Sequence, residues 1–232
     1  MPDEMQNAVI AEFPLRGIWE APNTPGKVIP SHGTDQLGQR YAYDFYQTVP
    51  GKKGVFYKGS ALKYFLLGVR LDECMSWGSV IHSPLSGRVV TADDGYPERQ
   101  RVNFFTDMFV VLKNAIFFDP AKSGLKPVVG NHVIMDCGSG VFAFFAHMQR
   151  GSVCVAAGQE VKKGQAIGRL GHSGNSTAPH LHFHLMDRAD LMTAKGIPCA
   201  FERCDTDDGT GWKTEERCVP NDKVKIRYAG IS

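Results

Sequence analysis

The stretch Pro179-His180-Leu181-His182-Phe183-His184-Leu185 alternates imidazole with apolar side chains. On an extended strand successive side chains point to opposite faces, so the three histidines share one face while Leu181, Phe183 and Leu185 share the other. The apolar face can fix the row to a core. Three imidazoles in a row repel one another when protonated and waste a solvent face when neutral, so a plain half-buried strand explains them badly. A metal explains them well, because neutral imidazole is the commonest metal ligand. A carboxylate partner is offered by the run Arg40–Tyr46 (RYAYDFY), aromatic and strand-like, with Ala42, Asp44 and Tyr46 on one face. A charge among aromatic residues needs a partner, since burying it unpaired is costly. Asp35, in the turn composition Ser31-His32-Gly33-Thr34-Asp35, has reason enough to be there in the turn itself. Asp44 is therefore the stronger candidate to join the histidines. His147 and His82, each alone on its strand, read as structural on their own.

The elements that must position these residues follow from pattern. Residues 11–20 read as a short strand, followed by the turn-rich APNTPGKVIP. In 51–78 a basic turn, Gly51 to Gly54, precedes Leu62, Phe65, Leu66 and Val69 at helical spacing, which predicts a short helix or an ordered insertion, its plain role a cap over the sheet. Residues 79–92 predict two strands around Pro84–Gly87. The apolar run 107–118 fits either a helix or a buried strand. Residues 131–136 and 141–148 predict a hairpin across Gly138-Ser139-Gly140, with His147 at the end of its second strand. Val153 to Gly171 reads as short strands between glycines, and the loop 172–179 delivers the chain into the histidine strand. After 187 the tail is expected to be polar and loop-rich, with 205–212 as its least ordered part.

Composition sets the outer limits. A chain of 232 residues with 43% hydrophobic and 22% charged side chains can bury a sizeable core in one domain. A net charge of +2 gives no electrostatic case for nucleic acid or an anionic membrane. No apolar run approaches the ~18 residues of a membrane span. The start, with two acids, only Ala8-Val9-Ile10 as an apolar stretch and no Lys or Arg before Arg16, is not a secretory signal as written. That reads as cytoplasmic, or as cell wall if the protein is exported, trimmed or released by lysis. The six cysteines contain no C-x-x-C pair and read as reduced thiols or buried apolar residues, with Cys204 and Cys218 able to pair under oxidation.

The sequence resembles the lysostaphin/LytM family of zinc endopeptidases over roughly residues 30–187. The residues that carry the resemblance are His32 and Asp44, Ala146-His147, the stretch from Val161 to Gly168, and Gly174-Asn-Ser-Thr-Ala-Pro-His-Leu-His-Phe183. It implies a mainly β fold, an antiparallel two-layer β-sandwich or half-open barrel with short helices in insertions, forming one peptidase domain with an N-terminal strand extension. It also implies one zinc ion held by His32, Asp44 and His182, with His147 and His180 as the catalytic pair. Two histidines and one carboxylate leave a fourth zinc position for water, as catalytic sites do. In that scheme His180 takes a proton from the water and hands it to the leaving amine, and His147 donates to the oxyanion. The implied substrate is a cross-link or stem peptide of bacterial peptidoglycan. Two departures stand out: the common acid position, four residues after the first histidine, is Gln36 here, and His184 stands where Glu or Gln is frequent. The first again favours Asp44; the second leaves His184 to a contact behind the metal or to plain surface.

Other readings predict different things. A non-catalytic relative acting as a binding or regulatory module would lose metal ligands, and none of these positions is lost. A metallopeptidase acting on an intracellular protein would cut unstructured polypeptides. A biotinyl or lipoyl carrier shares the glycine style of Val155 to Gly168, but Lys162 and Lys163 precede a glycine turn instead of standing at a hairpin tip, and the histidines would go unused.

Overall fold

The computed structural model describes residues 3–230 apart from Lys53 and Phe118. The expectations for the first two residues, for Lys53 of the Gly51–Gly54 turn and for Phe118 at the end of the 107–118 run therefore lie outside the described residues. In chain order the strands are β1 (Val9–Ala11), β2 (Ile18–Asn23), β3 (Tyr43–Tyr46), β4 (Val69–Arg70), β5 (Val80–His82), β6 (Gly87–Asp93), β7 (Arg101–Val102) and β8 (Asn131–Asp136). They continue with β9 (Phe142–Met148), β10 (Glu160–Val161), β11 (Ala166–Arg169), β12 (Leu181–Met186), β13 (Gly196–Ile197), β14 (Cys199–Asp207), β15 (Trp212–Cys218) and β16 (Lys225–Tyr228). Among the described residues, short or medium helices are interspersed: α1 (Ala61–Leu66), α2 (Phe104–Phe117), α3 (Pro120–Ser123) and α4 (Lys126–Val129). The fold is mainly β, as the resemblance implies.

One large sheet carries the molecule, in the order β1-β14-β16-β2-β3-β12-β9-β8-β6-β10. Its ladders are antiparallel except for β1 beside β14. The histidine strand β12 lies in the interior, between β3 and β9, so both of its edges are paired. Leu181, Phe183 and Leu185 point into the main core and are fully buried. There Phe183 meets Phe145 at a ring separation of 5.3 Å, and Phe201 meets Phe13 at 5.2 Å. The opposite face of β12 and β9 is covered by a smaller cluster of Val129, Ile134, Phe144, Met186, Leu191 and Ala194. Burial on both faces explains how a row of imidazoles is kept from water.

Two expectations are corrected here. The tail after 187 is not loop-rich: β14, β15 and β16 belong to the main sheet, and Cys199, Phe201, Cys204 and Ile226 are in its core. The Tyr43 hydroxyl donates to Cys199 O at 2.6 Å, tying β14 to the strand that carries Asp44. The core is accordingly wider than 30–187. The alternation of β14 is broken where the consecutive Glu202 and Arg203 both face outward between buried Phe201 and Cys204, and β15 is exposed along most of its length. The second correction concerns α1. The helix forms, with Ser60 Oγ accepting from Lys63 N as N-cap, but Leu62, Phe65 and Leu66 face solvent instead of capping the sheet. A satellite core of Tyr57, Tyr64, Val69, Leu71, Cys74 and Val102 holds this insertion together. The ambiguous run resolves as helix α2, whose Phe105, Phe109, Leu112 and Ile116 form an exposed stripe while Asp107 is buried. All six cysteines are free thiols.

Candidate metal centre

Register brings the first two groups together. His182 of β12 pairs directly with Asp44 of β3 and, on its other side, with Ala146 of β9. Directly paired residues on neighbouring strands project from the same face, so Asp44 meets the imidazole of His182: Nδ1 to Oδ1 is 2.9 Å. The loop after β2 supplies His32, whose Nε2 lies 2.9 Å from Asp44 Oδ2. One ligand atom each from His32, Asp44 and His182 lies within 4.8 Å of the others. Asn23, paired with Asp44 across β2 and β3, donates to Oδ2 at 2.8 Å. Asp35 is elsewhere, exposed and paired with Arg40 at 2.7 Å.

The donor set suits a metal in its chemistry as well as its spacing. Two imidazole nitrogens and a carboxylate oxygen are the ligand types zinc takes, at bond lengths of about 2.0–2.2 Å. The second nitrogen of each ring has its own polar neighbour: His32 Nδ1 is 3.0 Å from Ser31 Oγ, and His182 Nε2 is 3.2 Å from His184 Nδ1. Such outer partners fix the tautomer of a ligating histidine. Burial alone would raise the Asp44 carboxyl, but the surrounding His180, His182 and His32 outweigh it and hold it well below the usual carboxylate range. Burial pulls His182 below the ordinary imidazole value despite Asp44. His32 is also pulled down by burial, yet its bond to Asp44 leaves it raised. The centre is thus an ionised carboxylate beside an imidazole held neutral.

His147 reaches the same pocket by a backbone irregularity. Along β9, Ala143, Phe145 and Met148 face the core, and Phe144 and Ala146 face the site. Simple alternation would send His147 into the core. Instead β9 has one more residue than β8 between the pairs Val133–Phe145 and Asn131–Met148, a β-bulge, and His147 takes φ +59°. A bulge re-aims a side chain, and here it turns the imidazole onto the site face. The His147 ring lies 4.7 Å from that of His180, centre to centre. His147 Nδ1 is 2.9 Å from Ser173 O, an acceptor, so this nitrogen carries the hydrogen and Nε2 presents its lone pair. Burial holds the ring well below its ordinary value and keeps it neutral.

His180 precedes β12 and leans over Asp44, with Nε2 3.5 Å from Oδ1. His184 is not surface: it is buried behind His182, and burial lowers its pKa strongly. His82 is half-buried on β5, in keeping with a structural role. Two cavities of about 260 Å³ each flank the centre. One runs past His147, Val129 and Asn175; the other runs past Tyr46, Phe56 and Ala178; both share Asp44, Thr177 and His180. Segments 51–78 and 172–178 contribute to these walls directly, through Gly54, Phe56, Asn175, Thr177 and Ala178. Residues missed by sequence reasoning are Asn23, whose partner is set by strand register, His172 and Ser176 within the loop, and Arg99 and Asp107 beneath it. Only Ser176, inside the resemblance motif, carried any signal.

Comparison with known proteins finds likeness over part of the site. Residues 120–194 match the model of peptidase family M23, a segment that includes His147, His180, His182 and His184 but not His32 or Asp44. Peptidoglycan DD-endopeptidase ShyA of Vibrio cholerae is 37% identical over 76 residues, 32% of this chain and 17% of that protein. ShyB of the same organism is 34% identical over 79 residues, 31% of this chain and 18% of that protein. The chain therefore spans under a fifth of the length of these curated relatives. Among solved structures, the catalytic domain of lysostaphin from Staphylococcus simulans is 18% identical, with 83% of this chain and 90% of that chain covered and a TM-score of 0.37. Csd3 of Helicobacter pylori is 20% identical, with 82% of this chain and 32% of that one covered and a TM-score of 0.40. The likeness to peptidase family M23 thus lies in residues 120–194, and the His–Asp–His cluster adds His32 and Asp44 from outside that segment.

Proposed function

We propose that the chain is a zinc-dependent endopeptidase acting on peptide bonds of bacterial peptidoglycan, with residues 1–232 forming a single peptidase domain. The observation that carries this reading is the convergence of His32, Asp44 and His182 at the junction of two cavities, with His147 and His180 over it. Bound there, zinc would supply an activated water near neutral pH and polarise the scissile carbonyl.

The chain's own residues do the rest. His32, Asp44 and the Nδ1 lone pair of His182 would hold the cation, and His184 receives the hydrogen of His182 Nε2. His180 presents Nε2 toward the centre as the group that takes a proton and later returns it to the leaving amine. His147 enters the reaction as an acceptor, since its hydrogen is committed to Ser173 O. Donation to an oxyanion from Nε2 therefore requires it first to gain a proton there. A cavity on each side of the centre suits an extended peptide bound on both sides of the cut. The names of the curated relatives, DD-endopeptidases of peptidoglycan, support wall peptide as the substrate class.

The test is a zinc-loaded preparation incubated with purified peptidoglycans of several cross-bridge types and, in parallel, with casein. Release of wall peptides, identified by mass spectrometry and stopped by a chelator, is expected. Efficient cutting of casein with every wall preparation intact would overturn the substrate assignment.

A further inference from the structure

Every hydrogen-bonding position of Ser176 is in use. Its hydroxyl donates to Ala178 O at 2.6 Å, and its oxygen lies 3.1 Å from His172 Nδ1 and 3.2 Å from His180 Nδ1. His180 Nδ1 is also 2.7 Å from Ala178 O. A carbonyl oxygen only accepts, so His180 carries its hydrogen on Nδ1 and leaves Nε2 as a lone pair facing the pocket. The single hydrogen of Ser176 is given to Ala178, so the serine oxygen must receive from His172. His172 is therefore also protonated on Nδ1, and its Nε2 accepts from Arg99 Nη2 at 3.2 Å. Asp107 Oδ1 lies 3.4 Å from the same nitrogen. That contact is not a hydrogen bond in this tautomer, and Asp107 is satisfied without it by Arg99 Nε at 2.7 Å and Asn103 N at 2.9 Å. Burial lowers His172 and keeps it neutral, as the chain of bonds requires.

Asp107, His172 and Ser176 are all essentially without solvent contact. A buried ion pair is expensive to assemble and gains stability only when its remaining polar groups are met. Here they are met by the loop: Arg99 also donates to Gly174 O at 2.8 Å and to Ser176 O. A clamp on the loop backbone would need only those carbonyl bonds. The His172–Ser176 link adds nothing to that clamp, and beyond Ser176 it leads to His180.

We propose that His172, Ser176 and the Arg99–Asp107 pair are positioning residues for His180: a buried hydrogen-bonded chain, anchored on α2, that holds it in the Nδ1–H tautomer with Nε2 turned into the pocket. This rests on the reading of His180 as the proton-transfer group. The chain ties a helix outside the histidine motif to the reacting geometry.

The experiment uses zinc-loaded protein with nitrogen-15-labelled histidine, and soluble peptidoglycan fragments as substrate. In the wild type, His180 Nδ1 should give the signal of a protonated ring nitrogen and Nε2 that of an unprotonated one. His172→Phe and Ser176→Ala should each lower kcat roughly 10–100-fold, with KM and zinc content unchanged. His172→Asn, whose amide NH₂ stands near the place of Nδ1–H, should recover most of the loss. A wild-type His180 protonated on Nε2 overturns the proposal, and this is read without any variant having to fold. So does unchanged kcat in both variants, or a loss that falls on KM or on zinc. A wild type that shows the expected tautomer but cleaves nothing supports the chain of bonds and counts against the peptidase reading, so the two failures are distinct.

Discussion

Asp44 is a carboxylate with almost no water, surrounded by imidazoles from three directions and an amide from a fourth. Each neighbour favours its ionised form, and a cation there would be met by a full negative charge. The residue-scale predictions follow from who touches whom. His147→Ala and His180→Ala should retain zinc and lose turnover by roughly 10²–10⁴-fold, the cost of an acid–base or oxyanion group. Zinc content and peptide release, measured on the same preparations, check this; near-normal cleavage by either zinc-loaded variant removes that residue from the mechanism. His184 acts through His182, accepting from Nε2 at 3.2 Å. His184→Leu should therefore weaken zinc binding by roughly 10–100-fold, as loss of an outer partner typically does. Competition against a chelator of known affinity measures it, and an unchanged affinity would make the contact incidental.

At the scale of elements, the histidine strand was legible because alternation of residue type and alternation of side-chain direction coincide, and because its apolar face is fully buried. The hairpin 131–148 was legible for the same reason. What alternation could not show was the bulge at Ala146-His147, since a bulge changes the parity of the strand without changing its composition. Nor could it show β14 to β16, where Glu202 and Arg203 both face outward and break the alternation around buried Cys199, Phe201 and Cys204, and where β15 is mostly exposed. His32 and Asp44 are twelve residues apart and meet through a loop, so their pairing came from resemblance and not from periodicity. The Asp107–His172 contact spans 65 positions and left no local trace. The C-terminal strands lead to a stability prediction. Phe201 packs against Phe13, Tyr43 and Phe45 at ring separations of 5.2, 5.1 and 5.8 Å. Phe201→Ala should cost about 3–5 kcal/mol. Urea unfolding gives the value, and a loss under about 1 kcal/mol would place β14 outside the cooperative core.

The whole molecule stakes its stability on buried neutral imidazoles. His147, His172, His182 and His184 are all lowered from an ordinary value near 6.5, in each case chiefly by burial. An unfolded chain binds protons at these positions that the folded chain refuses. Stability is then fully present above about 6.5 and is lost as pH falls from there through the lower folded values. His32, raised by Asp44, opposes this with a single group. The metal-free protein should therefore show a urea midpoint that declines as pH falls below about 6.5, and a flat profile would contradict the burial of these rings. Zinc affinity should decline over the same range, because ligating imidazoles must be neutral.

The most direct test of the central claim is zinc per chain by elemental analysis, on the wild type, His182→Ala and Asp35→Asn. His32, Asp44 and His182 as the metal ligands predict about one ion per chain in the wild type and in Asp35→Asn, and little in His182→Ala. Stoichiometric zinc in His182→Ala, with the protein folded, would contradict the account.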